Sequence, residues 1–369
     1  MTHQLPVVGI DISKATFDPH WGSQKGKRQQ AHFSNDAHGF AQLQAWILEH
    51  GVTQVHCCLE ATGTYSDALA AFCYAAGHVV SVIAPHKMHA FRTSEGILSK
   101  TDKIDARLLA SYGEQKRPAP WHPVSASDQQ LKCDLDRLDD LKKMRQQEKN
   151  RLENQRLDTE ARKRIQAHIT WLDDEITSWE PLLQERFAQA WSQEHPQEPE
   201  QQQQTSGKKV KRPRKKTMQI PPIDAMMQVV GIGRLSALRM YAIFATLQEH
   251  ATSEHMASYF GVVPHAHESG TSVKGKTRRR GGNRQARNWL YMCALTSKRC
   301  DPDMKQWAQE LQARGLCKKS VIVAVMHKLA RILFGLFKTN APYDATKAFP
   351  LHYQKEKEET PTKKLAVAA

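Results

Sequence analysis

The sequence predicts an α/β N-terminal region, a long helical middle and a mostly α-helical C-terminal region. Compact apolar runs alternate with helical patterns through the first 120 residues. Leucines then recur at steps of three or four residues from 127 to 190, and apolar helical patterns resume after 219. A chain of 369 residues is long enough for two or three domains, each with its own core.

The N-terminal elements follow one another in the order βββαβαβα. The run 5–10 predicts a buried strand that ends at Asp11, and 54–59 predicts another that ends at Glu60. The remaining expected elements are a hairpin in 15–33, helices at 36–50 and 64–76, a strand at 79–83, and helices from 85 to 116. This order predicts a mixed sheet with helices on its faces.

The rest of the chain divides by composition. We expect a first domain over 1–120, a helical hairpin or coiled coil over 121–191, a linker over 192–218, a second globular domain over 219–345, and a disordered tail over 346–369. The apolar face of the hairpin favours self-association over RNA binding. Gly-Ile-Gly at 231–233 lies between two helical stretches and resembles a helix-hairpin-helix, whose turn offers N–H groups to a DNA phosphate.

Charge and composition indicate a nucleic-acid partner. The net charge is +15 at pH 7, which favours a polyanion, and no apolar run of 18 residues or signal peptide suggests a membrane. Seven cysteines without a CxxC pair indicate reduced thiols in the cytoplasm. His86 and His89 fit a surface helix better than a metal site. The linker concentrates cations suited to phosphates, at Lys208, Lys209, Lys211, Arg212 and Arg214.

Four carboxylates carry the main functional prediction. Asp11 and Glu60 end neighbouring strands, and Asp102 and Asp105 lie three apart where a helix begins. Acidic residues are also common in a first helical turn, where they complement the dipole. Convergence of all four would require cations, and two Mg²⁺ ions would relieve the repulsion and support phosphoryl transfer. Lys14 and Lys100 are placed to contact phosphate.

The motifs GIDISK, LEATGTY and KTDKIDAR resemble the D-E-D-D motifs of the transposases of bacterial insertion sequences in the IS-one-ten family. That family includes the Piv invertases and bridge-RNA-guided recombinases. G-x-x-P at 261–264 and ESG at 268–270 are similar too, and the likeness covers 5–120 and 219–345. The insert 192–218 is longer than the junction expected there. The resemblance implies an RNase H-like (RuvC-like) first domain holding Mg²⁺ on the four acids.

The resemblance also implies that Ser269 is a nucleophile that forms a covalent phosphoserine with cut DNA. Thr271 and Ser272 are rival hydroxyls, and His265, His267 and Glu268 are nearby in sequence without defining a triad. A flexible phosphate-binding turn is the alternative for this loop. A cation cluster follows, at Lys274, Lys276, Arg278, Arg279 and Arg280.

Partners and location follow from the same resemblance. It implies donor and target DNA, a bridge RNA that pairs with both, and a homo-oligomer built as a dimer of dimers in which another subunit completes the active site. The expected location is the bacterial cytoplasm, at the nucleoid.

Three other functions remain open from the residues alone. A RuvC-like nuclease would hydrolyse branched DNA with metals and no covalent intermediate. Sugar kinases and actin-like ATPases open with a similar G-x-D strand end, but they need a second phosphate loop, for which GIGRLS at 231–236 is a poor candidate. A non-catalytic nucleic-acid-binding protein is the third, and it would not explain why four carboxylates are placed to converge in a basic protein.

Overall fold

The structure is a computed structural model that describes residues 5–22, 29–61, 63–97, 102–194, 220–247, 251–263, 265–269, 273–277 and 281–350. The chain divides into two compact units, Met1–Pro123 and Val124–Ala369. Each unit is described below by itself.

The first unit is a mixed α/β domain. Its elements are β1 (Val7–Ile12), β2 (Thr16–Trp21), β3 (Phe33–Ser34), α1 (Ala37–Glu49), β4 (His56–Glu60), α2 (Asp67–Ala75), β5 (Val79–Ile83), α3 (Pro85–Ser94) and α4 (Asp102–Lys116). The five strands form one sheet in the order β3-β2-β1-β4-β5. The β1–β2 and β2–β3 pairs are antiparallel, whereas β1–β4 and β4–β5 are parallel. The mixed sheet expected from the sequence is confirmed.

Both faces of this sheet are covered by helices, which explains why β1 is buried along nearly its whole length. One apolar cluster joins β1 residues Val8 and Ile10 to Phe40 of α1 and Leu69 of α2. Alternate strand residues enter a second cluster on the opposite face, with α3 and α4. The chain enters α1 through Asp36, whose carboxylate accepts the Gly39 N–H at 2.9 Å.

The second unit is mostly helical. Its elements are α5 (Ala126–Leu152), α6 (Thr159–Glu194), α7 (Pro222–Met227), α8 (Arg234–Ala245), α9 (Ser253–Tyr259), β6 (His265–Ser269), β7 (Val273–Thr277), α10 (Arg284–Cys300), α11 (Pro302–Ala313), α12 (Lys318–Thr339) and α13 (Ala345–Ala348). The strands β6 and β7 pair as an antiparallel hairpin. This hairpin was not predicted, because its polar sequence lacks the apolar alternation that marks a strand.

The predicted helical middle is confirmed as two long helices, α5 and α6. Its leucines do not form an isolated coiled coil, because Leu131, Leu138 and Leu172 belong to the same apolar cluster as α7 to α12. Ion pairs cross between the two helices, with Arg145–Asp173 at 2.7 Å and Arg186–Asp134 at 2.6 Å.

A buried polar contact ties α5 to α8 and α10. Asp139 of α5 accepts from Arg239 of α8 and, at 2.9 Å, from the Gln285 amide of α10. The Arg239 guanidinium also lies 4.6 Å from the ring centroid of Trp289. Burial raises the pKa of Asp139, and the neighbouring Arg239 opposes that rise.

The Gly-Ile-Gly turn lies between α7 and α8, as the sequence predicts. Gly231 has a φ of +96°, and a Cβ there would lie 2.7 Å from the Ser297 backbone nitrogen of α10. Close packing against α10 therefore explains Gly231. Gly233 has open space around it.

In the described chain, α12 is the one helix long and apolar enough to cross a membrane. Eight of its side chains are buried, and they belong to the core of the second unit. The helix is thus accounted for as a core helix.

Candidate active site

Asp11 and Glu60 lie side by side at the ends of two parallel strands. Strand β1 pairs with β4 so that Ile10 is level with Leu59, and the next residues are Asp11 and Glu60. Both residues are half-buried. Adjacent parallel strands are about 4.8 Å apart, so these carboxyl groups start from neighbouring backbone positions.

The two acids belong to the face of the sheet that α4 covers. Val7 and Cys58 pack in the apolar cluster that contains residues of α3 and α4. Side chains alternate between faces along a strand, so Asp11 shares the face of Val7, and Glu60 shares the face of Cys58. The acids therefore continue two rows of side chains that contact α4.

Helix α4 runs antiparallel to β1 and is closely packed on it. A Cβ at Gly9 would lie 2.1 Å from the Ala106 carbonyl oxygen, and one at Gly113 would lie 2.7 Å from Val7. Moving along β1 from Val7 to Gly9 thus corresponds to moving back along α4 from 113 towards 106. Two further strand residues reach Asp11 and cover about 6.6 Å, or roughly four helical residues. That distance brings the start of α4, with Asp102 and Asp105, level with Asp11.

Asp105 is buried and bonded to an arginine. Its side chain is 8% exposed, and its carboxylate accepts from the Arg92 guanidinium of α3, which is 19% exposed. A buried carboxylate needs a compensating cation, and Arg92 supplies one. Sequence reasoning missed Arg92, because nothing in its spacing from Asp105 indicates that α3 and α4 meet at this point.

The donor set fits a hard divalent cation. Asp11, Glu60 and Asp105 offer carboxylate oxygens, the ligands Mg²⁺ prefers, at one end of one face. Asp102 is the first residue of α4, but its side chain lies outside the described residues. Among the described side chains, no group of three or more acids, histidines or cysteines is close enough to hold a metal ion. In this structure the Asp105 carboxylate forms an ion pair with Arg92.

Ser269 is the last residue of β6, in the final residue pair of the β6–β7 hairpin. The register pairs Ser269 with Val273, Glu268 with Lys274, and Ala266 with Lys276. The backbone thus presents Ser269 at the hairpin end in the second unit. Thr271 and Ser272 lie outside the described residues, as do Arg278, Arg279 and Arg280.

The other predicted phosphate contacts are only partly described. Lys14 is exposed in the turn after β1, where the Ser13 hydroxyl donates to the Thr16 carbonyl at 2.8 Å. Lys100 and the linker cations Lys208, Lys209, Lys211, Arg212 and Arg214 lie outside the described residues. His86 and His89 are exposed on α3, as the sequence predicts.

Two acids level at the ends of parallel strands, a third buried at the start of the helix that covers them, and a strongly basic chain define a candidate nucleic-acid-processing enzyme. Comparison with known proteins makes the assignment specific. A family model described as "Transposase", of the DEDD type of IS110, matches residues 8–158, and one described as "Transposase IS116/IS110/IS902 family" matches 223–309.

Full-length relatives agree with the two family models. A pilin gene-inverting protein of Moraxella bovis is 30% identical over 342 residues, covering 91% of this chain and 97% of the relative. Its counterpart in Moraxella lacunata is 30% identical over 347 residues. An IS110 insertion-element protein of Streptomyces coelicolor, described as uncharacterized, is 25% identical over 125 residues, or 34% of this chain and 31% of the relative. The chain belongs to the IS110 family of DEDD transposases, and it is a DNA transposase or recombinase.

Proposed function

We propose that this enzyme cuts and rejoins DNA through a covalent phosphoserine at Ser269, with Mg²⁺ held by Asp11, Glu60, Asp102 and Asp105 in an RNase H-like (RuvC-like) domain. One observation carries the carboxylate part of this proposal. Asp11 and Glu60 are level on neighbouring strands, on the face of the sheet that α4 covers. Helix α4 is antiparallel to β1, so its first turn, with Asp102 and Asp105, lies at the end of the sheet where the two strands end.

The carboxylates would act as a set. Four acids in one place repel one another, so they need cations to remain ionised together. Bound Mg²⁺, two ions per site, would stabilise the charge that develops on the attacking and leaving oxygens of a phosphodiester. Arg92 would neutralise Asp105 and hold its carboxylate at the start of α4.

The serine would supply the nucleophile. The Ser269 hydroxyl oxygen would attack a DNA phosphorus, forming an O–P bond as the bond from phosphorus to a deoxyribose oxygen breaks. The serine loses its proton and the departing deoxyribose oxygen gains one. A hydroxyl of a second strand then attacks the phosphoserine and restores the free serine. The number of phosphodiester bonds is unchanged, so joining requires no external energy source.

Basic residues would hold the DNA while these steps occur. Lys14 projects near the end of β1, and Lys274 and Lys276 lie on the strand that follows the serine turn. The linker cations 208–214, Lys100 and the arginines 278–280 would add further phosphate contacts. The net charge of +15 supports such contacts.

We further propose that a bridge RNA guides the enzyme and that it acts as a dimer of dimers, with Ser269 of one subunit completing the carboxylate site of another. The strong positive charge supports an additional polynucleotide partner. Two of the relatives are named for inverting a pilin gene, which supports site-specific rearrangement of DNA by this chain. Its place would be the bacterial cytoplasm, at the nucleoid.

A DNA adduct assay tests the serine. Full-length protein, with the RNA that copurifies with it, is incubated with Mg²⁺ and labelled DNA spanning the ends of its own element, then run on a denaturing gel. We expect a protein-linked DNA band that Ser269→Ala abolishes and that Thr271→Val and Ser272→Ala retain. Cleaved ends without an adduct, still formed by Ser269→Ala, would instead indicate a metal-dependent RuvC-like nuclease.

A matched pair of aspartates tests the carboxylates. We expect Asp11→Asn to abolish Mg²⁺-dependent cleavage while DNA affinity changes little, because Asp11 would hold metal and not phosphate. Asp224 is exposed in the first turn of α7, in the second unit, and is not one of the proposed ligands, so Asp224→Asn serves as the control. Normal recombination by Asp11→Asn would contradict the assignment.

A further inference from the structure

A second basic surface lies in the second unit, and its lining includes no residue of the β6–β7 hairpin. It is a groove of about 820 Å³ bounded by α12, by Trp307 of α11 and by the chain that continues through α13. Its cationic lining comes mainly from α12, with one contribution from α13: Lys328, Arg331, Lys338 and Lys347. His327 also lines the groove, but burial and the nearby Arg331 lower its pKa. Asp344 lines the groove as well, where it pairs with Lys347 at 3.7 Å. We call this surface the α12 groove.

Lys328 is held in the wall of the α12 groove by two aromatic rings. Its Nζ lies 4.8 Å from the centroid of the Trp307 ring and 4.3 Å from that of Phe349. Burial and the nearby Arg331 lower the pKa of Lys328. Within the described chain, neither Lys328 nor Arg331 has a carboxylate within 4.0 Å. The two rings therefore hold Lys328 close to a second, exposed cation, Arg331, and an anion in the groove would relieve the repulsion between them.

The cations form a stripe along one face of α12. Lys328 and Arg331 are three residues apart, and Lys338 follows seven residues later, so all three share a face. Ten residues of helix span about 15 Å. One strand of B-DNA carries a phosphate about every 3.4 Å along the helix axis, so the stripe matches about four phosphates.

Gly335 interrupts this face between Arg331 and Lys338, inside a 22-residue helix. Glycine is disfavoured in a helix interior, so it usually has a packing reason. A Cβ at Gly335 would meet no atom within 4 Å, so packing inside the protein does not require the glycine. Gly335 also lines the α12 groove, where a missing side chain allows a ligand backbone to approach the helix closely.

We propose that the α12 groove binds the sugar-phosphate backbone of DNA, with phosphates contacted by Lys328, Arg331 and Lys338 and the strand passing over Gly335. The chemistry that selects the ligand is a row of monoanionic phosphates at regular spacing. This inference depends on the chain being a DNA recombinase and is independent of the phosphoserine step. A binding assay without cleavage therefore tests it separately.

The salt dependence of DNA binding measures the contacts directly. Fluorescence anisotropy of a short labelled DNA duplex is recorded with the full-length chain over a series of salt concentrations. Each lost phosphate contact reduces the slope of log affinity against log salt by about 0.9, which corresponds to about eightfold in affinity at 0.1 M salt. We expect the combined variant Arg331→Gln and Lys338→Gln to lose about 1.8 from the slope.

The matched control removes two cations from the same helix outside the groove. Lys318 and Lys319 are exposed at the start of α12, so Lys318→Gln with Lys319→Gln lowers the net charge by the same amount. We expect this control to retain a steeper slope than the groove variant. Equal slopes for the two variants would show that total charge is responsible and would overturn the proposal.

Gly335→Gln separates obstruction from loss of charge. Glutamine favours helix and fits the open space, so the melting temperature should stay equal or rise while DNA binding weakens several-fold. Unchanged DNA affinity would overturn the proposed path over Gly335. A single-stranded RNA probe is measured with the Arg331→Gln and Lys338→Gln variant as well. Weaker RNA binding with unchanged DNA binding would assign the groove to RNA and overturn its assignment to DNA.

Discussion

Gly9→Ala should displace α4 from the sheet and impair both stability and catalysis. Gly9 lies in the middle of β1, directly beneath α4. Its added Cβ would lie 2.1 Å from the Ala106 carbonyl oxygen and 2.3 Å from the Ala110 nitrogen. Both neighbours are backbone atoms of a helix, so no side-chain rotation can relieve the clash.

The size of the displacement follows from these distances. Ordinary contact begins near 3.4 Å, so the helix must move by roughly 1.3 Å from the Ala106 oxygen. Overpacking of this kind costs about 1–3 kcal/mol, which lowers the melting temperature of a domain of this size by about 10 °C. Helix α4 begins with Asp102 and includes Asp105, and a misplacement of about 1 Å can reduce the rate about 100-fold.

Thermal denaturation and DNA cleavage rate, measured on the same preparation, test this prediction. Gly233→Ala is the matched control, because a Cβ at Gly233 meets no atom within 4 Å. We expect this control, which keeps its backbone N–H, to cleave DNA like the wild-type protein and to melt within a few degrees of it, because alanine caps α8 slightly less well than glycine. If Gly9→Ala melts and cleaves like wild type, α4 is not packed on β1 as described, and the level placement of the acids fails with it.

Three further predictions concern charged and titratable groups. Arg92→Ala should lower the free energy of unfolding by about 3–5 kcal/mol, because it leaves Asp105 buried without its cation. Mg²⁺ should raise the melting temperature of this variant more than that of wild type. An equal response would contradict a metal site that includes Asp105. Burial lowers the pKa of His56 and His78, so both stay neutral to a lower pH in the folded protein than in the unfolded chain, where they bind protons near pH 6.5. Stability should therefore be full above about pH 6.5 and decline as pH falls through the folded values, and His56→Gln with His78→Gln should flatten that decline in melting curves. Asp139→Ala should destabilise the second unit by about 3–5 kcal/mol in denaturant titrations, because the buried Arg239 loses its partner. The double variant Asp139→Leu with Arg239→Met should recover much of that stability. No recovery would contradict this reasoning.

The sheet could be predicted closely from the sequence because its strands are compact apolar runs bounded by polar turns. Strand β5 occupies the predicted residues 79–83, and β4 ends at Glu60 as expected. The sequence also indicated that Asp11 and Glu60 end neighbouring strands, since parallel strands in such an order meet at one edge. Register, however, depends on tertiary packing, and it is the register that makes these two acids level.

Other features depend on contacts that sequence spacing does not encode. Arg92 meets Asp105 only because α3 and α4 pack together beneath the sheet. The β6–β7 hairpin is formed by backbone pairing in a polar segment, so no apolar pattern in the sequence predicted it. Gly231 suggested a DNA-binding turn, yet its close approach to Ser297 shows a packing role that spacing could not reveal.

Mass spectrometry of the trapped adduct is the most direct test of covalent serine chemistry. The protein is stopped during cleavage of its own element's ends, digested with nuclease and protease, and searched for a peptide carrying a nucleotide phosphate. The proposal predicts that this mass maps to Ser269 and is absent when Asp11→Asn blocks cleavage. A nucleotide on Thr271 or Ser272, or cleaved DNA with no modified peptide, would contradict it.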